Sequence, residues 1–92
     1  MKIVIREKAA DDLEGIFHWI AKDNPNAAIE VLRRIRRRVG RLAVSGLAHI
    51  GRPGLIAGTR ELVEAPYILV YEVHDDRDEI VVLAIFHGAQ GR

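Results

Sequence analysis

The sequence predicts an α+β fold with the element order β-α-α-β-β-β, in which an antiparallel sheet packs on an N-terminal helical hairpin. Two observations predict it. In the first half of the chain, one short β-branched segment precedes two segments whose apolar residues recur with helical spacing. In the second half, a glycine-rich connector leads into three strand-like runs separated by short turns. The length of 92 residues is typical of one domain, so residues 1–92 are expected to fold as a single unit.

A change of apolar period predicts the first strand and the first helix. The segment KIVIR, residues 2–6, is short, β-branched and bounded by charges, which is typical of a strand. From about Lys8 to Lys22 the spacing becomes helical, with an apolar stripe of Ala9, Leu13, Ile16, Phe17 and Ile20. Trp19 lies at the edge of that stripe, where a half-buried aromatic residue would anchor either its own hairpin or a partner chain.

The second helix is predicted to begin at Pro25, with Asn24 as its N-cap. Proline is favoured in the first helical turn, and an asparagine side chain can accept a hydrogen bond there. The apolar face of this helix is formed by Ala28, Val31, Leu32, Ile35, Val39 and Leu42. Ser45 and Gly46 are expected to end it. The link of two or three residues between the helices predicts an antiparallel hairpin.

A connector with the sequence GRPGLIAG, residues 51–58, leads from the helices to the rest of the sheet. Its glycines let the chain turn back, and Pro53 limits its freedom. Three strands are predicted after it, at residues 59–64, 67–74 and 79–87. Pro66 separates the first two, and the DDRD segment turns the third back as a hairpin.

The last predicted strand is apolar on both faces. Simple alternation places Val81, Leu83 and Ile85 on one face and Ile80, Val82, Ala84 and Phe86 on the other. Such a strand requires cover on both sides, and one helical hairpin covers only one face of a sheet. The other face would be covered by a loop, a second copy of the chain or a partner chain. Alternatively, the strand is central and twisted, or its exposed apolar residues are isolated and harmless.

The composition excludes several functional classes. Apolar residues are 49% and charged residues 29% of the chain, as in ordinary globular proteins. There is no cysteine, so disulfides and thiolate metal sites are excluded. Acidic residues follow the first strand too soon for a signal peptide, and no apolar run approaches the ~18 residues of a membrane span. We therefore expect a cytoplasmic protein without membrane contact.

The sequence contains no motif for a cofactor, a metal or a catalytic nucleophile. The four histidines have no metal-ligand spacing, and Ser45 and Thr59 lie in no nucleophile context. The connector lacks the ending of a phosphate-binding loop. We therefore expect neither a cofactor nor a metal. His87 ends the last strand, where it is either a general base or simply a polar residue that terminates an apolar strand.

Positive charge is concentrated on the second helix. Six of the fourteen basic residues are arginines between Arg33 and Arg41. Helical spacing places Arg33, Arg34, Arg37 and Arg41 on the side opposite the apolar face, with Arg36 and Arg38 on its flanks. Such a face would bind phosphates, or it forms a solvated or partner-facing surface that is partly paired with Glu30. No aromatic residue is interleaved with the arginines for base stacking.

Three segments, taken in order, resemble the RelE/ParE superfamily of toxins from bacterial toxin–antitoxin systems, and most closely its ParE branch. They are AADDLEGIFHWIAKDNPNAA, GRPGLIAGTRELV and YILVYEVHDDRDEIVVLAIFHGAQ, and the resemblance covers nearly the whole chain. It implies the toxin of a type II system that inhibits DNA gyrase by binding, without ordinary enzymatic activity. It also implies neutralisation by a ParD-like antitoxin, through which alone the toxin would be connected to operator DNA.

This resemblance suggests candidate binding residues. Those expected to contact the antitoxin are Trp19, Ile20, Ile80, Val82 and Phe86. Those expected to contact the target are Arg52, Arg60 and His87. Arg60 is expected to lie near His87 at the open end of the sheet, with Arg52 above it. The alternative is a structural Arg60 that pairs with an internal acid such as Glu72 or with an uncapped carbonyl.

Two alternative functions stay open. The related RelE-like branch cleaves mRNA on the ribosome with clustered lysines and arginines and a C-terminal tyrosine or histidine. Here Arg60 and His87 would take two of those places, since cleavage needs a base and a cation for the developing charge. However, all three lysines precede the second helix and no tyrosine follows Tyr71, so this catalytic set is thin. The other alternative is a non-toxic remnant that only binds an antitoxin.

Overall fold

The computed structural model describes residues 1–44 and 46–88. In chain order the elements are β1 (Lys2–Ile5), α1 (Glu7–Ala21), α2 (Pro25–Arg41), β2 (Arg52–Pro53), β3 (Arg60–Glu64), β4 (Tyr67–His74) and β5 (Glu79–His87). A 3-10 turn, Asp75–Arg77, links β4 to β5, and the peptide bond between Ala65 and Pro66 is cis. The α+β class, the order of the predicted elements and the N-terminal helical hairpin are confirmed.

The sheet differs from the predicted one in two respects. Its strand order is β1-β5-β4-β3-β2, and β1 runs parallel to β5, whereas the other neighbours are antiparallel. The sheet is therefore mixed, because a long connection that includes both helices separates β1 from β5. The additional strand, β2, lies inside the connector and pairs with the start of β3. A two-residue strand that contains a proline gives no periodic signal in the sequence.

The predicted start of α2 is confirmed in detail. Pro25 occupies the first turn, and the side chain of Asn24 accepts a hydrogen bond from the backbone N–H of Ala27 at 3.0 Å. The cap satisfies one of the N–H groups that have no partner within the helix. At the other end, α2 stops at Arg41 with Leu42 as its C-cap, so it ends before the predicted Ser45 and Gly46. Gly46 has a positive φ of 84° in the segment that follows, and Ser45 lies outside the described residues.

The core lies between the helical hairpin and one face of the sheet. Its fully buried large side chains include Ile35 and Leu42 from the α2 side and Leu69, Tyr71, Ile80 and Val82 from the sheet. Asp12 ties α1 to the sheet, since its carboxylate accepts a hydrogen bond from the backbone N–H of Ile85 at 2.9 Å. Burial of these side chains supplies the main favourable free energy of the fold, at ~25 cal/mol per Å² of apolar surface.

A bulge in β5 changes which residues face the helices. Val70 lies opposite Ala84, but its neighbour Tyr71 lies opposite Val82, so Leu83 is an extra residue in β5. The helix-facing set on β5 is therefore Ile80, Val82 and Ile85, and the opposite set is Val81, Ala84 and Phe86. The predicted alternation was wrong beyond Val82, because one extra residue reverses the facing of all that follow it.

The face of the sheet away from the helices is apolar but partly shielded by its own side chains. Val81 and Ile68 are buried there, with 2% and 9% of their surface exposed. Val63 on the neighbouring strand β3 is 44% exposed, and Phe86 is half-buried. Within residues 1–44 and 46–88, neither helix is long and apolar enough to span a bilayer.

Candidate functional site

An apolar groove lies between α1, α2 and the edge strand β1. Its volume is about 640 Å³. The lining residues are Ile3, Ile5, Ala10, Leu13, Glu14, Phe17, Leu32, Ile35, Arg36, Val39, Gly40 and Ile85. Most of these side chains are aliphatic or aromatic, and the charged members are Glu14 on α1 and Arg36 on α2. We call this site the hairpin groove.

The groove forms because β1 ends the sheet. No strand of the described chain lies beyond β1, so the helix-facing side chains of Ile3 and Ile5 are only partly covered. Ile5 remains 40% exposed. From the helices, Leu13 and Phe17 line the groove from successive turns of α1, as the i, i+4 spacing requires. A mainly apolar depression between two helices and a strand edge suits an apolar helix face better than it suits a reaction.

The edge of β1 also offers backbone hydrogen-bonding groups beside the groove. The N–H groups of Lys2 and Arg6 donate to the carbonyls of Asp78 and Val82, at 2.9 and 3.0 Å. In a parallel ladder with this register, alternate residues bond to the neighbouring strand, so the peptide groups of Ile3 and Ile5 point away from β5. Such an exposed edge is able to pair with an extended segment of another chain.

A second depression lies on the other side of α1 and includes Trp19. It is lined by Lys8, Asp11, Asp12, Gly15, Ile16, Trp19, Tyr67, Ile85, Phe86 and His87. The indole of Trp19 is 73% exposed, with the ammonium group of Lys22 5.5 Å from the ring centroid. Trp19 is therefore far more exposed than the half-buried anchor that its place in the sequence predicted. The structure brings Trp19, Phe86 and His87 to one depression.

Two residues predicted to contact an antitoxin are inaccessible. Ile80 and Val82 are each 0% exposed, because both lie on the face of the sheet that the helices cover. Their side chains therefore belong to the core and offer no surface to a partner, so the expectation that they contact the antitoxin was wrong. Ile20 is half-buried on α1.

Arg60 and Arg52 stabilise the connector. One guanidinium nitrogen of Arg60 donates to the backbone carbonyls of His49 and Gly51, at 3.1 and 2.6 Å. Arg52 donates to the carboxylate of Glu61 at 3.2 Å, and Glu61 is 3% exposed. Arg60 therefore bonds backbone carbonyls, as expected if its role is structural. The arginine that pairs with an internal acid is Arg52, and that acid is Glu61.

His87 lies far from Arg60. It pairs with Tyr67 at one end of β4, whereas Arg60 pairs with Tyr71, four residues along the same strand. Four residues of a strand span about 13 Å. The rings of His87 and Tyr67 meet edge to face, with centroids 5.6 Å apart. The expectation that Arg60 would lie near His87 was therefore wrong, and the two residues do not converge on one reacting group.

The arginines of α2 are mostly exposed to solvent. Arg33 pairs with Glu30 at 2.9 Å, and Arg38 lies 3.9 Å from Glu64. Arg36, which lines the hairpin groove, is exposed and, within the described part of the chain, has no ion pair. Among residues 1–44 and 46–88, no cluster of three or more histidine or acidic side chains has the arrangement of a metal site.

Sequence reasoning did not identify the hairpin groove. Its residues were assigned to the cores of the two helices, since Leu13, Phe17, Leu32 and Val39 follow ordinary helical spacing. The sequence did contain one indication of the groove. Ala10 and Phe17 make the apolar stripe of α1 wider than the stripe that packing against the sheet alone requires. The position of β1 at the edge of the sheet, which leaves this width uncovered, is a tertiary feature that the sequence alone does not display.

Comparison with known proteins identifies the family. The family profile described as "ParE toxin of type II toxin-antitoxin system, parDE" matches residues 3–91. A protein of Sinorhizobium fredii with the provisional name toxin Y4kP is 40% identical over 85 residues, which cover 90% of this chain and 83% of that protein.

Solved structures agree with this match. A chain of the chromosomal ParDE system from P. aeruginosa superposes with a TM-score of 0.80 at 29% identity, over 95% of both chains. A chain of the intact E. coli RelBE toxin–antitoxin complex superposes with a TM-score of 0.66 at 14% identity, over 94% of both, and shares the fold. The chain therefore belongs to the ParE toxin family of type II toxin–antitoxin systems.

Proposed function

We propose that the chain is neutralised by a ParD-like antitoxin that binds in the hairpin groove. The observation that carries this proposal is an apolar groove of about 640 Å³ beside an unpaired strand edge. The similar structures from P. aeruginosa and E. coli come from toxin–antitoxin systems, which supports a protein partner for this surface. In water the groove's apolar lining favours a bound apolar segment by ~25 cal/mol per Å² buried.

The groove suits an amphipathic helix from the antitoxin. Helix-in-groove recognition uses apolar anchors at i, i+3, i+4 and i+7, which would pack against Leu13, Phe17 and Leu32. Arg36 at the rim would favour an acidic residue on the flank of that helix. An antitoxin segment rich in leucine and acidic residues meets both requirements.

The test compares two isoleucines changed to glutamate. Ile5 lines the groove and is 40% exposed, whereas Ile56 lies on the connector and is 70% exposed. The partner to use is the protein encoded by the neighbouring reading frame. Ile5→Glu should raise its Kd at least about thirtyfold, the effect of losing ~2 kcal/mol at an interface hot spot. Ile56→Glu should leave the Kd unchanged, and equal effects of the two changes would contradict the proposal.

We further propose that the target of the free toxin is DNA gyrase. Membership of the ParE family supports this target rather than the ribosome. The separation of Arg60 from His87 by about 13 Å along β4 gives no support to the ribonuclease alternative, which needs its catalytic groups around one phosphodiester.

Expression of the chain alone in a bacterium tests the target. Gyrase poisoning should produce DNA double-strand breaks and an SOS response, and the purified chain should inhibit supercoiling by purified gyrase. Cleaved mRNA without an SOS response would replace this proposal by a ribosome-dependent ribonuclease. Normal growth at a verified level of folded protein would identify the chain as a remnant that only binds its antitoxin.

A further inference from the structure

The solvent side of α2 carries a straight row of arginines. Arg33, Arg37 and Arg41 are exposed and lie at positions i, i+4 and i+8, so they share one side of the helix. Neighbouring members are separated by about 6 Å along the helix axis. We call these three residues the arginine row.

The positive charge of the row is only partly neutralised. Arg33 pairs with Glu30, but both side chains are more than half exposed, so water screens the pair. Arg37 and Arg41 form no ion pair with any residue in ranges 1–44 and 46–88. Arg34 and Arg38 lie on the flank, where their Nε atoms are shielded from water. The two free arginines at the C-terminal end of the row are therefore available to an external anion.

Acidic residues are concentrated elsewhere on the molecule. Of the eight exposed acidic residues in the described chain, three lie on α1, at Glu7, Asp11 and Glu14, and three lie around the turn between β4 and β5, at Asp75, Asp76 and Asp78. The other two are Asp23, before α2, and Glu30, on α2. The net charge is only +1, so general attraction to a polyanion is weak. Any binding of a polyanion must therefore be oriented, with α2 facing it.

We propose that the arginine row binds the phosphate backbone of duplex DNA without reading its base sequence. Planar guanidinium groups match phosphate oxygens in geometry and charge. Guanidinium groups about 6 Å apart along α2 can each reach a different phosphate of one strand, because the charges of a strand recur every ~3.4 Å of the duplex axis. This contact is additional to toxin activity and would make the toxin a direct participant in a complex on DNA.

Two features favour duplex DNA over other polyanions. Helix α2 contains no aromatic residue on which an unpaired base could stack, which disfavours single-stranded nucleic acid. Inside α2, the residues three or four positions from Arg37 and Arg41 are Arg33, Arg34, Arg38 and Gly40, none of which is an apolar anchor of the kind that a peptide needs. The exposed apolar residues Ile29 and Val44 lie beyond the two ends of the row. Phosphates on the outside of a duplex require neither stacking nor an anchor.

Fluorescence anisotropy with a labelled duplex of random sequence, at a series of salt concentrations, tests the proposal. The variant Arg37→Gln/Arg41→Gln removes two charges from the row, and Lys22→Gln/Arg77→Gln removes two exposed charges elsewhere. Losing two phosphate contacts should reduce the slope of log K against log salt by about 1.8 and raise the Kd at least about tenfold at low salt. The control variant should keep the slope of the unmodified chain.

Two further measurements make the result decisive. Glutamine has a helix propensity close to that of arginine, so circular dichroism should show both variants folded. Arg37→Lys/Arg41→Lys should restore most of the binding, because a point charge suffices for phosphate. An unchanged slope in the glutamine variant, tighter binding of poly-glutamate than of the duplex, or salt-sensitive self-association in place of DNA binding would each overturn the proposal.

Discussion

The connector and the hairpin groove are opposite in construction. At the connector, polar groups meet partners within the chain: Arg60 bonds two carbonyls, Arg52 bonds Glu61, and the N–H of Gly51 donates to the hydroxyl of Tyr71 at 3.0 Å. The groove is apolar, and residues 1–44 and 46–88 leave its surface uncovered. The arginines that most resemble a functional site are therefore used by the fold, whereas residues that resemble ordinary core line the best candidate interface.

This difference teaches that a position is better classified by whether its side chain already has a partner within the chain than by its residue type. A buried polar group that has found a partner is costly to disturb, because its loss leaves the partner unsatisfied. An exposed apolar side chain can be changed at little cost to stability, but it determines which partner binds. Four predictions test the difference, beginning with the largest expected effect on stability.

Gly51→Ala should cause the largest loss of stability. A Cβ at this position would lie 2.6 Å from the hydroxyl of Tyr71 and 2.7 Å from the backbone carbonyl of Glu61, closer than such contacts allow. Because a backbone atom of β3 cannot move aside cheaply, we expect the free energy of unfolding to fall by about 3 kcal/mol. Urea denaturation measures it. Gly15→Ala in α1, with no atom within 4 Å, should instead raise stability, and similar losses in both would refute the steric explanation.

Arg60→Ala should have the next largest effect. It removes the charged donor from the carbonyls of His49 and Gly51, and hydrogen bonds to charged groups are worth about 2 kcal/mol. Thermal denaturation should show the loss, while Arg33→Ala on the exposed side of α2 should change stability by less than about 0.5 kcal/mol. Toxicity should fall no further with Arg60→Ala than with another variant of equal stability. A greater loss of toxicity than in that variant would show that Arg60 contacts the target.

His87→Ala should cost about 1 kcal/mol, the value of an edge-to-face contact such as the one with Tyr67. Its effect on growth inhibition separates structure from function. If His87 only packs on Tyr67, then His87→Phe should keep both stability and toxicity. If toxicity is lost in His87→Phe while stability is kept, the imidazole itself contacts the target.

Gly40→Ala should change the free energy of unfolding least, and it should increase stability where the other three changes reduce it. Gly40 lies in α2 at the wall of the hairpin groove, where an added Cβ would meet no atom of another described element within 4 Å. Alanine is favoured over glycine within a helix, so the free energy of unfolding should rise by about 0.5–1 kcal/mol. A decrease in stability, measured by urea denaturation, would mean that this wall of the groove is more tightly packed than we describe.

The sequence predicted most of the fold because local signals agreed. The cap at Asn24, the proline at the start of α2 and the DDRD hairpin each follow from the chemistry of a few neighbouring residues. The parallel pairing of β1, the two-residue strand β2 and the bulge at Leu83 could not be predicted, because each depends on which strands become neighbours. The same limit applied to the site. The bulge separated Phe86 from the face that holds Ile80 and Val82, and the groove forms because β1 ends the described sheet.

The parallel pairing of β1 with β5 also governs when the protein can mature during synthesis. Strand β1 has as its neighbour the last strand described, so the sheet cannot close until translation has reached residues 79–82. At ~5–20 residues per second, the nascent chain spends on the order of several seconds with β1 unpaired. A chain of the ParE toxin family therefore completes its sheet only after residues 79–82 have been synthesised.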